Sequence, residues 1–542
     1  MSRSLLMGSV VAATFFACGG DDRTAVATTM TDGAGAGGSA GAAVASPRGS
    51  GAGGSGGSHA AGVGGAGGSG AAGANAGASG AAGASGAAGA SGSGGAGGAS
   101  GAGGSTSALW WRQLSADVGD EIHLGAFAVD SSDAVIVAGE CNGNVTLGLP
   151  PTKIGATPAT LFLAKLAPDG TTLWARRFGA AGSYSQIADI ATGPDGRIYV
   201  TGTFQDGPLD LGLGPLPSAG KVDVFAAAFE PDGAVVWSVS AGGPSYDEGG
   251  AIAVDAGGRA VFASVVDGHL TLMGIDKTGV TQFVTKTPGF IGINAAFLSP
   301  VNRLIIDAQG NAIAAGTFGA NGASFGGGAT PTSKFEATFV ASYDAKGAFN
   351  WARAFTTSLG NGVTSEGLST TGLTLDGDEV VVTGDFPGTV DFGLGALTAA
   401  DTWGPHSGYV ARLGAADGKT HEAAMLGTPS TVQGTTRDAA GRTVITASWN
   451  GLAHLGGADL TGQGLATITL AKGGASIVAQ RALSELVVTA AFPNAFGRLL
   501  PVALDGKARP VAAFEFFGKA PVTFTGVLAV GLDDAMLVQL SP

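Results

Sequence analysis

The chain has 542 residues, 98 of them glycine, with 13% charged and a net charge of −14. Length alone would accommodate two to four ordinary domains. Collagen is excluded, since there is no Gly-X-Y period and proline stands at an ordinary 22, and no run past residue 20 approaches the ~20 apolar residues of a membrane-spanning helix.

Residues 1–23 read MSRSLLMGSVVAATFFACGGDDR. Arg3 precedes an apolar run, Leu5 to Phe16, which is too short for a permanent span and has the form of an export signal. The end of that run, Phe-Phe-Ala-Cys-Gly-Gly, resembles the lipobox of bacterial lipoprotein signal peptides, with Phe15 in place of the usual leucine. The resemblance implies cleavage of 1–17 and lipidation of Cys18. Gly19 after the cysteine implies, by likeness to Gram-negative lipoproteins, an outer-membrane or cell-surface location. Acyl chains would anchor the protein firmly, each buried CH₂ contributing ~0.8 kcal/mol. Cys141 is then the one remaining thiol, so no intramolecular disulfide can form.

Residues 18–107 are expected to be a disordered tether. From 31 to 107 the sequence is almost wholly Gly, Ala and Ser, holds 31 of the glycines, and carries two charges, Asp32 and Arg48. Such a segment cannot bury enough apolar area to offset its ordering entropy. Similar linkers occur in lipoproteins of GC-rich soil bacteria such as the myxobacteria.

From residue 108 to 542 the chain repeats, which predicts one all-β domain. LFLAKLAPDGTTLWARRFG (161–179), VFAAAFEPDGAVVWSVSAG (224–242) and TFVASYDAKGAFNWARAF (338–355) are copies of one element. They alternate with IADIATGPDGRIYVTGTF (187–204), AIAVDAGGRAVFASVV (251–266), LIIDAQGNAIAAGTF (304–318) and LTLDGDEVVVTGDF (373–386). Each is a pair of β-rich runs joined by Asp-Gly, Gly-Gly or Gly-Asn, the signature of a tight hairpin. Two hairpins per ~60 residues predict a four-stranded antiparallel sheet, and its serial repetition predicts a β-propeller. Length favours seven blades, with six or eight open. Unit three is shortened at 264–279, where the long connection is missing. The tail has two readings. AMLVQLSP is a third strand partnered by the N-terminal ALWWRQL, or GVLAVGLDDAMLVQL is a hairpin that begins another blade; under either, the strand bearing Trp110 and Trp111 is expected to join the last blade and close the ring.

The strings D-x-x-G-[NR]-x-[IV]-Y-V-T-G-x-F and L-A-K-L-x-P-D-G-x-x-L-W resemble the bacterial β-propeller repeat family of the SBBP type. This resemblance implies a propeller fold and no particular chemistry. Trp111, Trp174 and Trp237 are spaced by 63 residues twice; Trp174 and Trp237 are expected to pack one blade on the next, while Asp169 and Asp232 form turns.

Candidate binding residues are the polar groups that enter each first hairpin: Asp120 and Glu121, Tyr246, Asp247 and Glu248, and Glu366. Their common repeat position would bring them to one face near the central channel, where clustered carboxylates could attract Ca²⁺ or a cationic ligand. The histidines show no metal-ligand spacing, and no nucleophile elbow or phosphate-binding loop is present. The acidic balance opposes nucleic-acid binding. These features point to a membrane-anchored, non-catalytic binding or scaffold module for an envelope protein, peptide or glycan. The alternative is an extracellular hydrolase or lyase, which two carboxylates and a base converging within ~6–9 Å at the channel mouth would favour.

Overall fold

The computed structural model describes residues 43–44, 48–49 and 108–540, the last span without its connections 117–120, 143–144, 148–151, 155–159, 180–183, 206, 292–300, 320–322, 329–336, 359–366, 400–405, 429–430, 451–452, 456–457, 461–462, 483–495, 500–502, 518–521, 525–526 and 530–532. No helix occurs among the described residues, and none is long and apolar enough to cross a membrane. Cys18, Asp120 and Glu366 lie outside the described residues, as do 51–105; Glu121 is described in backbone only.

The domain is a β-propeller of seven four-stranded antiparallel blades. The first comprises Glu121–Val129, Val135–Asn142, Thr160–Leu166 and Thr172–Phe178. The second comprises Tyr184–Thr192, Ile198–Gln205, Val222–Phe229 and Val235–Gly242. The third runs from Glu248–Val254 through Ala260–Val266 and His269–Ile275 to Thr281–Phe290. The fourth has Val301–Ile306 innermost and Phe349–Phe355 outermost, the fifth Gly372–Asp376 and Thr420–Thr428, and the sixth Thr431–Arg437 and Ile477–Ala482. Successive inner strands touch, and the circuit closes where Ala503–Leu504 of the seventh blade meets Glu121–Val129 of the first.

Of the two readings of the tail, strand pairing selects the first. Asp533–Leu540 lies between Pro510–Phe517 and the N-terminal Ala108–Ala116, so the earliest strand of the domain is the outer strand of the last blade. Val527–Ala529 pairs instead with Val522–Phe524 in a separate small hairpin. The ring is thereby held shut by backbone hydrogen bonds between the two ends of the domain.

Strand periodicity explains the core. Successive residues point to opposite faces, so Val135 and Val137 pack toward the seventh blade while Ile136 and Ala138 pack toward the second. Val261, Ala263 and Val265 join the fourth blade's residues, and Ala260, Phe262 and Val266 join the second's. Each of these hydrophobic clusters thus lies between two blades.

Turn chemistry is equally regular. In the strand-one-to-two turns of the first, third and fourth blades, Oδ1 of Asp130, Asp255 and Asp307 accepts backbone N–H groups two and four residues on. In the three-to-four turns, Asp169 and Asp232 accept from Thr171 and Ala234 at 2.8 and 3.0 Å, as turn formers do. The glycine of the Gly-Thr-Phe string has a different cause. A Cβ at Gly202 would stand 1.9 Å from the Gln186 carbonyl oxygen, and one at Gly139 or Gly384 would stand 2.0 Å from that of His123 or Ser369. The inner strand bulges there, between Ile187 and Asp189 in the second blade, and its carbonyl needs the space.

Candidate functional site

Antiparallel pairing sets the end of strand two, the start of strand three, the end of strand four and the start of the next blade on one face. Of the predicted binding residues, Tyr246, Asp247 and Glu248 are described there, between the second and third blades. They take three different roles.

Tyr246 is 58% exposed, and the Lys221 ammonium sits 4.8 Å from its ring centroid, a cation–π contact. Asp247 is buried, with both oxygens engaged by backbone: Oδ2 accepts the Gly243 N–H at 2.7 Å and Oδ1 the Asp267 N–H at 2.8 Å. Burial, together with the neighbouring Asp267 and Asp223 carboxylates, pushes its carboxyl up to about 6. Asp247 therefore holds the loop that presents Tyr246.

Glu248 occupies a position that is apolar in the first blade. It pairs with Val265 as Ile122 pairs with Cys141 and Ser185 with Phe204. Its Oε2 is buried without a hydrogen-bond partner, and burial pushes the carboxyl up to about 7.

The rest of this face carries groups whose signal in the sequence is one substitution in a repeated string. Where the Gly-Thr-Phe string reads Gly-Asp-Phe, Asp385 stands in the threonine's place, and its Oδ2 lies 2.9 Å from Nδ1 of His406. Where it reads Gly-Glu-Cys, Glu140 accepts the Ile187 N–H of the next blade at 2.6 Å. Asp223, also buried, accepts from Ala219 and Gly220 at 2.8 and 3.3 Å, and Lys286 pairs with Asp267 at 3.2 Å. Cys141 is buried and takes part in no disulfide.

Deeper in the ring, Asp189 on the second blade's inner strand accepts the Ile252 N–H at 2.9 Å, and burial raises its carboxyl to about 6. A cavity of about 380 Å³ opens between the inner strands among Thr192, Ile252, Leu304, Ile306, Thr374 and Arg437. Arg437 is engaged by the Leu375 carbonyl and by Asp376, the latter at 3.1 Å. Among the described residues no three His, Cys, Asp or Glu side chains are set to share a metal ion.

No protein-family model matches the sequence, and no curated protein does. Solved structures resemble it at low identity. The Dos1 propeller is 12% identical, with 80% of this chain and 95% of that one covered at a TM-score of 0.36. BamB from Moraxella catarrhalis is 13% identical, covering 80% and 97% at 0.34. Drosophila Plexin A, solved in complex with Semaphorin 1b, is 9% identical, covering 80% and 87% at 0.37. Scores this low carry no argument about function, and the architecture rests on the strand pairing described above.

Proposed function

We propose that the chain is an envelope-anchored, non-catalytic binding module whose ring presents the loops of one face to a protein, peptide or glycan. The observation that carries this reading is the arrangement at Tyr246: an exposed aromatic ring, steadied by Lys221, on a loop pinned by the buried Asp247. Aromatic side chains held in one orientation supply contact area at low entropic cost, which is why they dominate recognition surfaces. Asp223, through Oδ2, and Asp247, through both oxygens, serve the loops by accepting backbone N–H groups.

Lipidation at Cys18 would place the ring at the outer membrane or cell surface, with residues 18–107 between. Two measurements separate the parts of this proposal. Capture from envelope extracts or on a glycan array should fall at least tenfold with Tyr246→Ala; undiminished capture would remove this face from the binding role. Membrane fractionation should be lost in Cys18→Ala or under globomycin, and fractionation that persists in both would discard the anchor.

A further inference from the structure

We propose that the outer edge of the second blade is a strand-addition site, and that its occupant is the chain's own segment 43–49. An outer strand presents a row of unpaired N–H and C=O groups, which proteins blunt with charge, proline or a covering element. This ring uses covering hairpins and charge, with one proline, Pro288, in the third blade's outer strand. Hairpins between strands two and three reach back to the preceding blade. The first blade's Val145–Leu147 pairs with Ala108–Ala116, the fifth blade's Thr389–Asp391 with Thr357–Ser358, and the sixth blade's Ala453–Leu455 with Thr420–Thr428. Charge does the rest: Arg112, Arg176, Lys286, Arg353, Glu422 and Arg481 each lie on a different outer strand.

Val235–Gly242 of the second blade has neither. Its sequence, VVWSVSAG, contains no charge and no proline. The covering hairpin should come from the third blade, but there the two strands are joined through Asp267 and Gly268, with φ of 49° and 76°. A turn with positive φ at both central residues is the tightest hairpin connection and leaves nothing to reach back.

The N-terminal segment takes the vacant edge. Ala43 and Val44 pair antiparallel with Gly242 and Ala241, and Arg48 and Gly49 with Ser238 and Trp237. The two registers differ by one, since 43 and 44 face 242 and 241 while 48 and 49 face 238 and 237. An offset of one is the register change that one extra residue makes in an added strand, and the intervening sequence carries Pro47, which has no N–H to place in a ladder. The segment also brings what the covered strand lacks. Arg48 is the only charge between 33 and 107, and a charged residue type is one of the devices that blunt an edge strand.

Pinning at 43 changes the standoff if Cys18 is the anchor. The leash becomes about 25 residues, with a coil reach of about 28 Å, instead of about 90 residues and about 50 Å.

The test uses the full chain. Backbone amides of 237–242 should exchange at least tenfold faster when residues 43–49 are replaced by an equal length of Gly-Ser, while the other outer strands keep their rates. In a Cys18→Ser background, Val44→Cys should cross-link with Ala241→Cys under mild oxidation, and Val63→Cys should not. Unchanged exchange in the replaced variant, or equal cross-linking from positions 44 and 63, would overturn the proposal. Protection that survives replacement and grows with protein concentration would also overturn it, making a second copy the occupant.

Discussion

Trp351, on the outer strand of the fourth blade, donates its indole N–H to the Ala415 carbonyl in the fifth blade's three-to-four turn at 2.9 Å. The same bond joins Trp110 to Pro168 at 2.8 Å and Trp174 to Pro231 at 3.0 Å. Two residues after each tryptophan an arginine reaches the same turn: Arg112 to Gly170, Arg176 to Asp232 and Arg353 to Asp417. Each ring lies over a turn glycine with positive φ, so that a Cβ at Gly418 would stand 2.3 Å from Trp351. The Trp-x-Arg pair is therefore a clamp between blades, and its first copy, on Ala108–Ala116, acts at the closure of the ring. Trp351→Phe keeps the ring and loses the donor, which should lower stability by about 1 kcal/mol. Trp351→Ala should lower it by about 3–5 kcal/mol, and Arg353→Ala by under about 1 kcal/mol. Urea unfolding midpoints check the order; equal losses for Phe and Ala would refute the packing role.

Glycines in this chain should fall into two classes of tolerance. Gly202→Ala sets a Cβ against a backbone carbonyl that the bulge fixes in place, and it should cost about 3 kcal/mol. Gly393 has φ of 97° with nothing within 4 Å of an added Cβ. Gly393→Ala should therefore cost only the backbone strain, about 1–2 kcal/mol. Thermal unfolding of the two variants side by side decides; a smaller loss at Gly202 would show that the inner strand yields.

Arg412 is buried between the fifth and sixth blades, 2.7 Å from Asp376 and, through Nε, 2.7 Å from Glu379. Asp376 also accepts the Gly473 N–H at 2.8 Å. Burial alone would raise the Asp376 carboxyl, but these partners hold it below the usual carboxylate range. A carboxylate so depressed contributes stability that is present above its unfolded value and lost as pH falls through the folded one. Arg412→Met leaves a buried charge with fewer partners and should cost about 3–5 kcal/mol at neutral pH. It should also shrink the loss of stability on acidification. An acid limb identical to the wild type would show that Asp376 does not depend on Arg412.

The hairpins, the ring and its closing strand were legible because the turns repeat their chemistry and the third unit visibly lacks one connection. Register was less so. The spacing of 63 selects Trp111, yet it is Trp110 that meets Gly170, because the outer strand of the last blade is placed by its pairing with Asp533–Leu540. Burial of polar groups was not legible. Tyr-Asp-Glu reads as a solvated loop, and only the neighbouring Asp267 amide and the apolar register position reveal that Asp247 and Glu248 are inside. Both depend on contacts with residues distant in sequence, which a local pattern does not carry.

Glu248 makes the upper face pH-sensitive. Its carboxyl holds a proton up to about pH 7 when folded, against 4.5 as the ordinary value. Between those values the folded state binds the extra proton, so stability falls as pH rises through that window. At about 1.4 kcal/mol per pKa unit the loss is at most about 3.5 kcal/mol. Asp247, raised to about 6, adds a smaller decline of the same sign. Glu248→Gln keeps the shape and cannot ionise. Its stability relative to the wild type should therefore be close at pH 5 and higher by about 2–3 kcal/mol at pH 8, leaving only the Asp247 slope. Urea unfolding at pH 5, 6, 7 and 8 reads this directly. A wild-type curve parallel to that of the variant would mean that Glu248 reaches water when it ionises, and that the third blade's inner strand opens there.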